Sequence, residues 1–442
     1  SSNEQPSRWL RALTGDPIVT QRVQPDFVDV LDLDRFVRGD HHAMFRRMRE
    51  EAPVSWHEEK VREGGFWNIV MHPHLQTVNR DTELFSSQKA GSLMFENPAP
   101  SGFDSRGKLL IDTDPPLHTR YRRLINKGFT PRMIGLLEQY LQYRAELIVD
   151  NVIEKGECDF VSGLAMELPL QAIAEIMGVP QEDRRLIFDW TNKMIGAQDP
   201  DYNDSGEIED MEEATQAAAE LYLYVDQLRA QRRSDPKDDI VTKLINAEID
   251  GDNLSEEEFE MFMLLLSVAG NETTRNATTH GMYGLSSTPG QWDLLKGNLP
   301  ELMPNAIEEM VRWGSPVLHF RRQTTAPTEI GGVELDADDK VVMWHVSANR
   351  DENVFDDPDT FDIERSNANE QVGFGGGGAH YCLGANLAKA ELRIIYTEIA
   401  TRMPDIKVVG EPERLRSNFI SGIKSMPVSF TPGKRKHPAD AT

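Results

Sequence analysis

The chain has 442 residues, of which 39% are hydrophobic and 27% are charged, and its formal net charge is −26. A strongly acidic chain offers few basic faces, so we expect neither nucleic acid nor an anionic membrane surface among its general partners. Neutral or apolar small molecules fit this charge better.

Membrane insertion and secretion are not indicated by the sequence. The longest apolar run, around residues 261–269, is far too short to span a bilayer, so we expect no membrane anchor. The first residues, Ser1 to Arg8, carry no signal-peptide pattern. The chain has only two cysteines, one of them in a position that suits a reactive thiolate, and we therefore expect a reducing, cytoplasmic compartment.

The first 112 residues mix helix, strand and loop signals. Residues 1–30 are polar and interrupted by prolines, which is typical of a surface arm, and a helix is predicted from Asp40. Residues 54–58 and 66–71 are predicted to form a hairpin. Residues 84–112 form a long connection that is either a lid over a pocket or a plain packed loop. Its exposed-looking apolar residues are Leu93, Met94 and Phe95.

A basic pair follows this connection. Pro115 and Pro116 suit a helix start, and His118 and Arg122 then lie four residues apart on one helical face. Such a pair can clamp a carboxylate, although a solvated basic face is the alternative. From about residue 132 to residue 250 the pattern is almost entirely helical, with prolines and glycines at the breaks.

A long central helix is predicted from a capping box at Ser255 and Glu258 to about Ser287. Its middle reads Ala269-Gly270-Asn271-Glu272-Thr273-Thr274, which contradicts local helix propensity and therefore indicates a functional site. We interpret Gly270 as making room for a flat cofactor, and we expect the Thr273 hydroxyl to bond the carbonyl of Ala269. The alternative is a kinked helix with satisfied polar groups.

The stretch Phe374-Gly-Gly-Gly-Gly-Ala-His-Tyr-Cys382-Leu-Gly384 is the most informative one in the chain. Four consecutive glycines predict unusual backbone dihedrals or a very close approach by a large group. A helix is predicted directly after it, so Cys382 lies near a helix N-terminus that favours a thiolate, either as a metal ligand or as a nucleophile. A structural loop with a buried free cysteine is the alternative. Zinc is disfavoured, because no second cysteine or histidine stands at ligand spacing nearby.

This loop resembles the cysteine-ligand loop of the cytochrome P450 family, the haem-thiolate monooxygenases, and the 269–274 sextet resembles the family's oxygen-activation signature. Phe374 stands eight residues before Cys382, one more than the family's commonest spacing. The extra glycine is similar to a bacterial branch that oxidises the ends of steroid side chains and methyl-branched lipids. The likeness covers roughly residues 40–430 and rests on four motifs in the family's order.

The resemblance implies a mainly α, single-domain P450 fold with a large helical part and a smaller β-rich part. We divide the chain into an N-terminal arm (1–30), a mostly β-rich part (31–110) and a mostly helical haem-binding part (111–442). Glu309, Arg312 and Arg365 would form a buried network that supports the fold.

The resemblance also implies heme b (iron protoporphyrin IX), with Cys382 as the metal ligand. His118, Arg122, His380 and one arginine of the 315–325 strand would meet the haem propionates. We choose Arg322 over Arg321 from the motif, since a slip of one residue exchanges the two faces of a strand. The remaining expected haem contacts are Phe374, Gly375, Ala269 and Gly270.

By resemblance, Glu272 and Thr273 would deliver the protons needed for reductive splitting of O2, and one oxygen atom would enter a C–H bond of a bulky apolar substrate, a steroid, terpenoid or branched lipid. The expected substrate contacts are Met94, Phe95, Leu266, Val317 and Leu318. No flavin or nicotinamide fingerprint is present, so a separate ferredoxin and ferredoxin reductase are expected to supply electrons. Their expected basic docking face comprises Arg120, Arg123, Lys127, Lys389 and Arg393, and scattered surface charge is the alternative. The alternatives are a peroxide-using or isomerising haem-thiolate enzyme and a non-catalytic haem protein that binds a ligand.

Overall fold

The computed structural model describes residues 22–59, 64–94, 107–195, 199–201 and 212–438. Within these ranges, no helix is both long enough and apolar enough to cross a membrane. The predicted substrate contact Phe95 lies outside the described residues.

Helices make up most of the regular structure, which confirms the mainly α prediction. In chain order they are α1 (Leu33–Arg38), α2 (His41–Glu51), α3 (His72–Arg80), α4 (Leu117–Ile125), α5 (Pro131–Ile153), α6 (Glu167–Ile176), α7 (Arg184–Ile195), α8 (Glu212–Ser234), α9 (Ile240–Ile245), α10 (Glu256–Ser287), α11 (Gln291–Gly297), α12 (Leu299–Gly314), α13 (His345–Ala348) and α14 (Ala385–Arg402). A π-helical turn, Val161–Ala165, precedes α6.

The strands are short and lie in several small sheets. They are β1 (Val54–Glu58), β2 (Gly65–Ile69), β3 (Phe85–Ser86), β4 (Glu157–Asp159), β5 (Glu248–Ile249), β6 (Asp252–Asn253), β7 (His319–Thr324), β8 (Thr328–Ile330), β9 (Val333–Leu335), β10 (Lys340–Trp344), β11 (Lys407–Val408), β12 (Glu413–Arg414), β13 (Ile423–Ser425) and β14 (Pro427–Ser429).

The five-stranded sheet has the order β1-β2-β10-β7-β3. β1 and β2 form the predicted antiparallel hairpin, with Trp56 opposite Trp67. β10 then joins β2 in parallel, so two strands of this sheet come from residues 319–344. The sheet is therefore not confined to residues 31–110, and that stretch also contains α1, α2 and α3. Strand pairing across the sequence, which no local pattern encodes, brings these two parts of the chain together.

The central helix α10 begins and ends where the sequence predicts. The Ser255 hydroxyl accepts from the Glu258 amide, and the Glu258 carboxylate accepts from the Ser255 amide at 2.8 Å, which completes the capping box. The helix ends at Ser287, shortly before Pro289. It packs against α6, α7, α8, α12 and α14, and it thereby forms the centre of the largest hydrophobic core.

Glu309, Arg312 and Arg365 form the buried network that the sequence predicted. Arg312 donates to both carboxylate oxygens of Glu309, at 2.6 and 2.7 Å. Arg365 joins the same carboxylate at 3.2 Å. Because Arg312 also donates to the carbonyls of Asn349 and Pro358, both at 2.8 Å, this network ties α12 to the segment of residues 349–365.

Candidate functional site

The glycine loop adopts a backbone that only glycine tolerates over four successive residues. Gly375, Gly376, Gly377 and Gly378 have φ values of 103°, 66°, 98° and 82°. A Cβ on Gly378 would also stand 2.9 Å from the carbonyl oxygen of Asn79. The four glycines are therefore required by the positive φ values of this loop. At Gly378, the close approach of helix α3 also leaves no space for a side chain.

This loop delivers Cys382 to a position just before α14. The Cys382 amide donates to the Phe374 carbonyl at 2.9 Å, which closes the loop on itself. The thiol is accessible to solvent, yet surrounding protein desolvates it, as expected for a group in the wall of an internal crevice. Burial raises the pKa of Cys382, although the amides of Gly384 and Ala385 and the charge of Arg122 oppose that shift.

Imidazole and guanidinium groups gather beside the thiol. The rings of His118 and His380 lie 4.3 Å apart, and Arg122 donates to the carbonyl of Tyr381 at 2.6 Å. Burial, and then the charge of Arg122, lower the pKa of His118 to about 4. Burial, and then the charge of Arg322, lower the pKa of His380 to about 2. Although they are widely separated in sequence, four residues thus lie together at one edge of the site, where the arginines supply positive charge. They are His118, Arg122, Arg322 and His380.

Arg321 and Arg322 are neighbours on β7. The charge of Arg322 lowers the pKa values of both His118 and His380. Its side chain is 2% exposed, and it donates to the Arg321 carbonyl and to the Asn79 side-chain oxygen, both at 2.7 Å. Its Nε has no hydrogen-bond partner in the part of the chain that the structure describes. A buried guanidinium with a spare donor is suited to an acidic ligand group.

Asn79, at the end of α3, is a site residue that the sequence analysis missed. Its side-chain amide donates to the carbonyls of Gly375 and Gly377, the latter at 2.8 Å, and its oxygen accepts from Arg322. One buried side chain therefore connects the cysteine loop to the arginine of β7. No motif marks this asparagine, and only the fold reveals its role.

The middle of α10 carries the predicted polar notch. The Thr273 hydroxyl donates to the Ala269 carbonyl at 2.6 Å, which is the expected bond. Ala269 is exposed, and Leu265, Leu266 and Thr273 are partly so, whereas most other residues of this helix are buried. These four residues lie on one helical face, so α10 presents an accessible stripe within the interior of the protein.

Glu272 points away from this stripe. It is 1% exposed and pairs with Arg275, one turn further along the helix. Its Oε1 has no hydrogen-bond partner among the described residues. Burial raises the pKa of Glu272, and the positive charge of Arg275 opposes the shift. In this arrangement the carboxyl and the Thr273 hydroxyl are sequence neighbours that do not bond each other.

Gly270 lies where α10 packs against α6. A Cβ at this position would stand 2.2 Å from Cδ1 of Ile173 on α6. The glycine therefore allows two helices to pack closely. Its predicted role beside a flat cofactor stays a prediction. Ala269, its neighbour, is the residue that lies on the accessible stripe.

Two predicted substrate contacts, Met94 and Leu318, are buried. Met94 and Leu318 are each 2% exposed, and both pack in a hydrophobic core together with α1, α2 and Trp344. Leu266 and Val317 are partly accessible, as a pocket wall requires. Core packing between distant segments, which residue type alone does not reveal, explains the difference.

The predicted basic docking face is largely neutralised. Arg120 pairs with Asp252 at 2.6 Å and with Glu258 at 2.9 Å. Lys389 pairs with Glu308, and Arg393 pairs with Glu138. The local carboxylates of α5, α10 and α12 therefore offset much of the positive charge that the sequence pattern indicated.

As a whole, the arrangement fits a planar metal cofactor with acidic groups at one edge. It offers an accessible thiol, a neighbouring group of two imidazoles and two arginines, and an accessible stripe on α10, which packs against the helix that follows the thiol. Thiolate sulfur is a soft ligand that suits iron. Arginines and histidines are the expected donors to carboxylates.

Comparisons with known proteins agree with this geometry. A sequence model of the family described as Cytochrome P450 matches residues 186–402. The chain is 42% identical over 414 residues to a steroid C26-monooxygenase of Mycolicibacterium smegmatis, covering 92% of this chain and 93% of that protein. It is 40% identical over 412 residues to a methyl-branched lipid omega-hydroxylase of Mycobacterium tuberculosis, covering 91% and 94%.

The fold is also similar to solved structures. A Mycobacterium marinum cytochrome P450 in complex with pseudoionone has a TM-score of 0.85 and is 36% identical, covering 92% of this chain and 100% of that one. A Bacillus megaterium protein solved in complex with testosterone has a TM-score of 0.75 and is 31% identical, covering 88% and 99%.

Proposed function

The chain belongs to the cytochrome P450 family of haem b monooxygenases, and from that premise we propose that Cys382 would supply the thiolate ligand of its iron. The observation that carries this proposal is the convergence of the accessible thiol with His118, His380, Arg122 and Arg322. When bound, the haem supplies the iron at which O2 is reduced and from which one oxygen atom reaches the substrate.

The basic edge would hold the propionates. Arg322 has a buried donor to spare, and Arg122 and the two imidazoles lie beside it. Asn79 would hold Arg322 and the cysteine loop in fixed positions relative to each other, because it bonds both of them. The positive φ values at Gly375 and its three successors set the backbone path of the loop that leads to Cys382.

Thr273 and Glu272 would deliver protons to the reaction site. The Thr273 hydroxyl donates its own proton to the Ala269 carbonyl, so its oxygen remains able to accept a hydrogen bond from a water molecule on the accessible stripe. Burial favours the protonated form of Glu272, whose Oε1 is not hydrogen-bonded among the described residues. To supply protons, Glu272 would leave its pairing with Arg275 and turn toward this water, in a site with little bulk solvent.

The proposed substrate is a bulky apolar molecule with a branched chain, a steroid, a terpenoid or a methyl-branched lipid. The activities of the two relatives and the extra glycine before Cys382 support this class. Leu266 and Val317 are partly accessible apolar residues suited to contact it.

We also propose a ferredoxin and its reductase as the electron source, and a cytoplasmic location. Both cysteines are free thiols, which suits a reducing compartment. Arg123 and Lys127, at the end of α4 and just after it, remain the best candidates of the predicted docking face.

The test is a screen of steroids with and without a branched side chain, read as a shift of the haem Soret band and followed by product analysis. Turnover is compared with NADH, ferredoxin and reductase and then with peroxide alone. We expect branched-chain ligands to shift the band and O2-dependent hydroxylation to dominate.

Cys382→Ser serves as the matched control for the thiolate. The intact protein should give the reduced carbon monoxide spectrum of thiolate ligation, and the variant should lose it. An imidazole-type spectrum of the intact protein would overturn the proposal, and turnover with peroxide alone would favour the peroxide-using alternative.

A further inference from the structure

A second cavity, of about 480 Å³, lies between α1, α2, the second half of α10, the end of α12 and residues 414–422. Neither Cys382 nor any of the four basic groups beside it lines this space. A volume of this order is enough for a compact organic ligand. The cavity therefore deserves an explanation separate from that of the haem site.

One wall carries a buried arginine with a spare donor. Arg350 is 5% exposed, donates to the carbonyl of Trp313 at 2.9 Å and lies 3.4 Å from a carboxylate oxygen of Asp359. Its Nη1 has no hydrogen-bond partner within the described ranges. An unsatisfied buried guanidinium N–H is costly unless an acceptor reaches it.

A second arginine faces the same space. Arg414 lies 5.8 Å from the ring centroid of Tyr283, and the described part of the chain gives it no hydrogen bond or ion pair through its side chain. Arg46, also in the wall, pairs with Asp359 and lies 3.6 Å from a carboxylate oxygen of Glu352, which is outside the lining. Three guanidinium groups thus have two carboxylates beside them, in a protein whose net charge is −26. The excess of positive over negative groups in the wall favours an anionic ligand.

Three imidazoles complete the polar lining. His41, His42 and His280 all border the cavity, and Nδ1 of His42 has no partner in the described residues. Burial, together with the charges of Arg350 and Arg414, lowers the pKa of all three. At neutral pH they are uncharged groups that can donate or accept, and the positive potential comes from the arginines.

The rest of the wall is apolar and includes aromatic rings. Its large hydrophobic members are Phe36, Tyr283, Trp313, Leu318, Leu415 and Ile420. A small inorganic ion would leave these surfaces in contact with water only, whereas a ligand with a hydrophobic body would cover them.

We propose that this cavity is a second ligand site, which binds a compact hydrophobic carboxylate whose acid group meets Arg350 and Arg414. A carboxylate matches the planar donors of guanidinium better than a neutral group does. The site is independent of the substrate proposed for the haem pocket. His280 stands seven residues after Thr273 on α10, so an occupant would contact the helix that carries the proposed proton relay.

The experiment uses the haem-loaded protein with an iron-coordinating azole bound, so that the haem pocket is filled. Calorimetric titration with 1-naphthoate is compared with 1-naphthol, which has the same ring system without the acid. We expect saturable binding of one naphthoate per chain and at least about tenfold weaker binding of the naphthol.

Arg414→Gln is the informative variant, because its side chain is partly exposed and makes no ion pair that the fold depends on among the described residues. It should weaken naphthoate binding by about tenfold or more. The control Arg132→Gln also removes one arginine, but at an exposed ion pair outside the cavity, and it should leave the affinity unchanged.

Four results would overturn the proposal. They are the absence of saturable naphthoate binding, equal affinity for naphthol, unchanged affinity in Arg414→Gln, and displacement of the azole by naphthoate. The last result would assign the ligand to the haem pocket. Because the azole and its spectrum report the haem site separately, failure here leaves the proposed monooxygenase function intact.

Discussion

Replacement of Asn79 by alanine tests how the cysteine loop is held. The variant loses two hydrogen bonds to the carbonyls of Gly375 and Gly377 and one from the charged Arg322. Neutral hydrogen bonds contribute about 0.5–1.5 kcal/mol each and those to charged groups about 1.5–3 kcal/mol. We therefore expect the free energy of unfolding to fall by about 3–5 kcal/mol, a large share of the stability of an ordinary domain.

The substitution of Asn79 should also affect how the protein holds its haem. Without Asn79 the glycine loop and Arg322 are no longer tied together, so we expect weaker haem retention and a smaller fraction of the thiolate-type carbon monoxide spectrum. Urea denaturation and haem transfer to an acceptor protein measure the two effects. Thr77→Ala is the control, because Thr77 lies on the same helix and, among the described residues, its side chain bonds only the Pro73 carbonyl. An Asn79→Ala protein with unchanged midpoint and spectrum would refute the reasoning.

Three further predictions follow from the same geometry. Thr273→Ala should keep haem and spectrum but lower the product formed per NADH by about tenfold or more, with peroxide released instead; unchanged coupling would contradict the relay. Glu309→Gln should lower the free energy of unfolding by about 3–5 kcal/mol, because two buried arginines lose their carboxylate, and an unaltered thermal midpoint would count against this. Burial lowers the pKa of His319 to about 4, so the unfolded chain binds a proton below pH 6.5 that the folded chain rejects. The free energy of unfolding of the native protein, relative to that of His319→Gln, should therefore decline by about 3 kcal/mol between pH 6.5 and pH 4. A difference between the two proteins that does not change with pH would contradict the lowered pKa.

Sequence patterns predicted the features that depend on neighbouring residues. The capping box of α10 and the bond from Thr273 to Ala269 follow from spacings of three and four residues on a helix, and both are present. The glycine run predicted an unusual backbone because only glycine adopts positive φ freely, and all four of these residues do so. The family's motifs then gave the fold class.

Tertiary structure alone decided the features that join distant segments. Asn79 lies 296 residues before the loop carbonyl of Gly375 that it bonds, and the parallel pairing of β2 with β10 spans a comparable distance. Gly270 faces Ile173 on α6, and Met94 and Leu318 pack in a core with α1 and α2, and no sequence pattern predicted these packing partners. Local periodicity identifies which side of a helix or strand is apolar, but the partner that this side meets is fixed only when the whole chain packs.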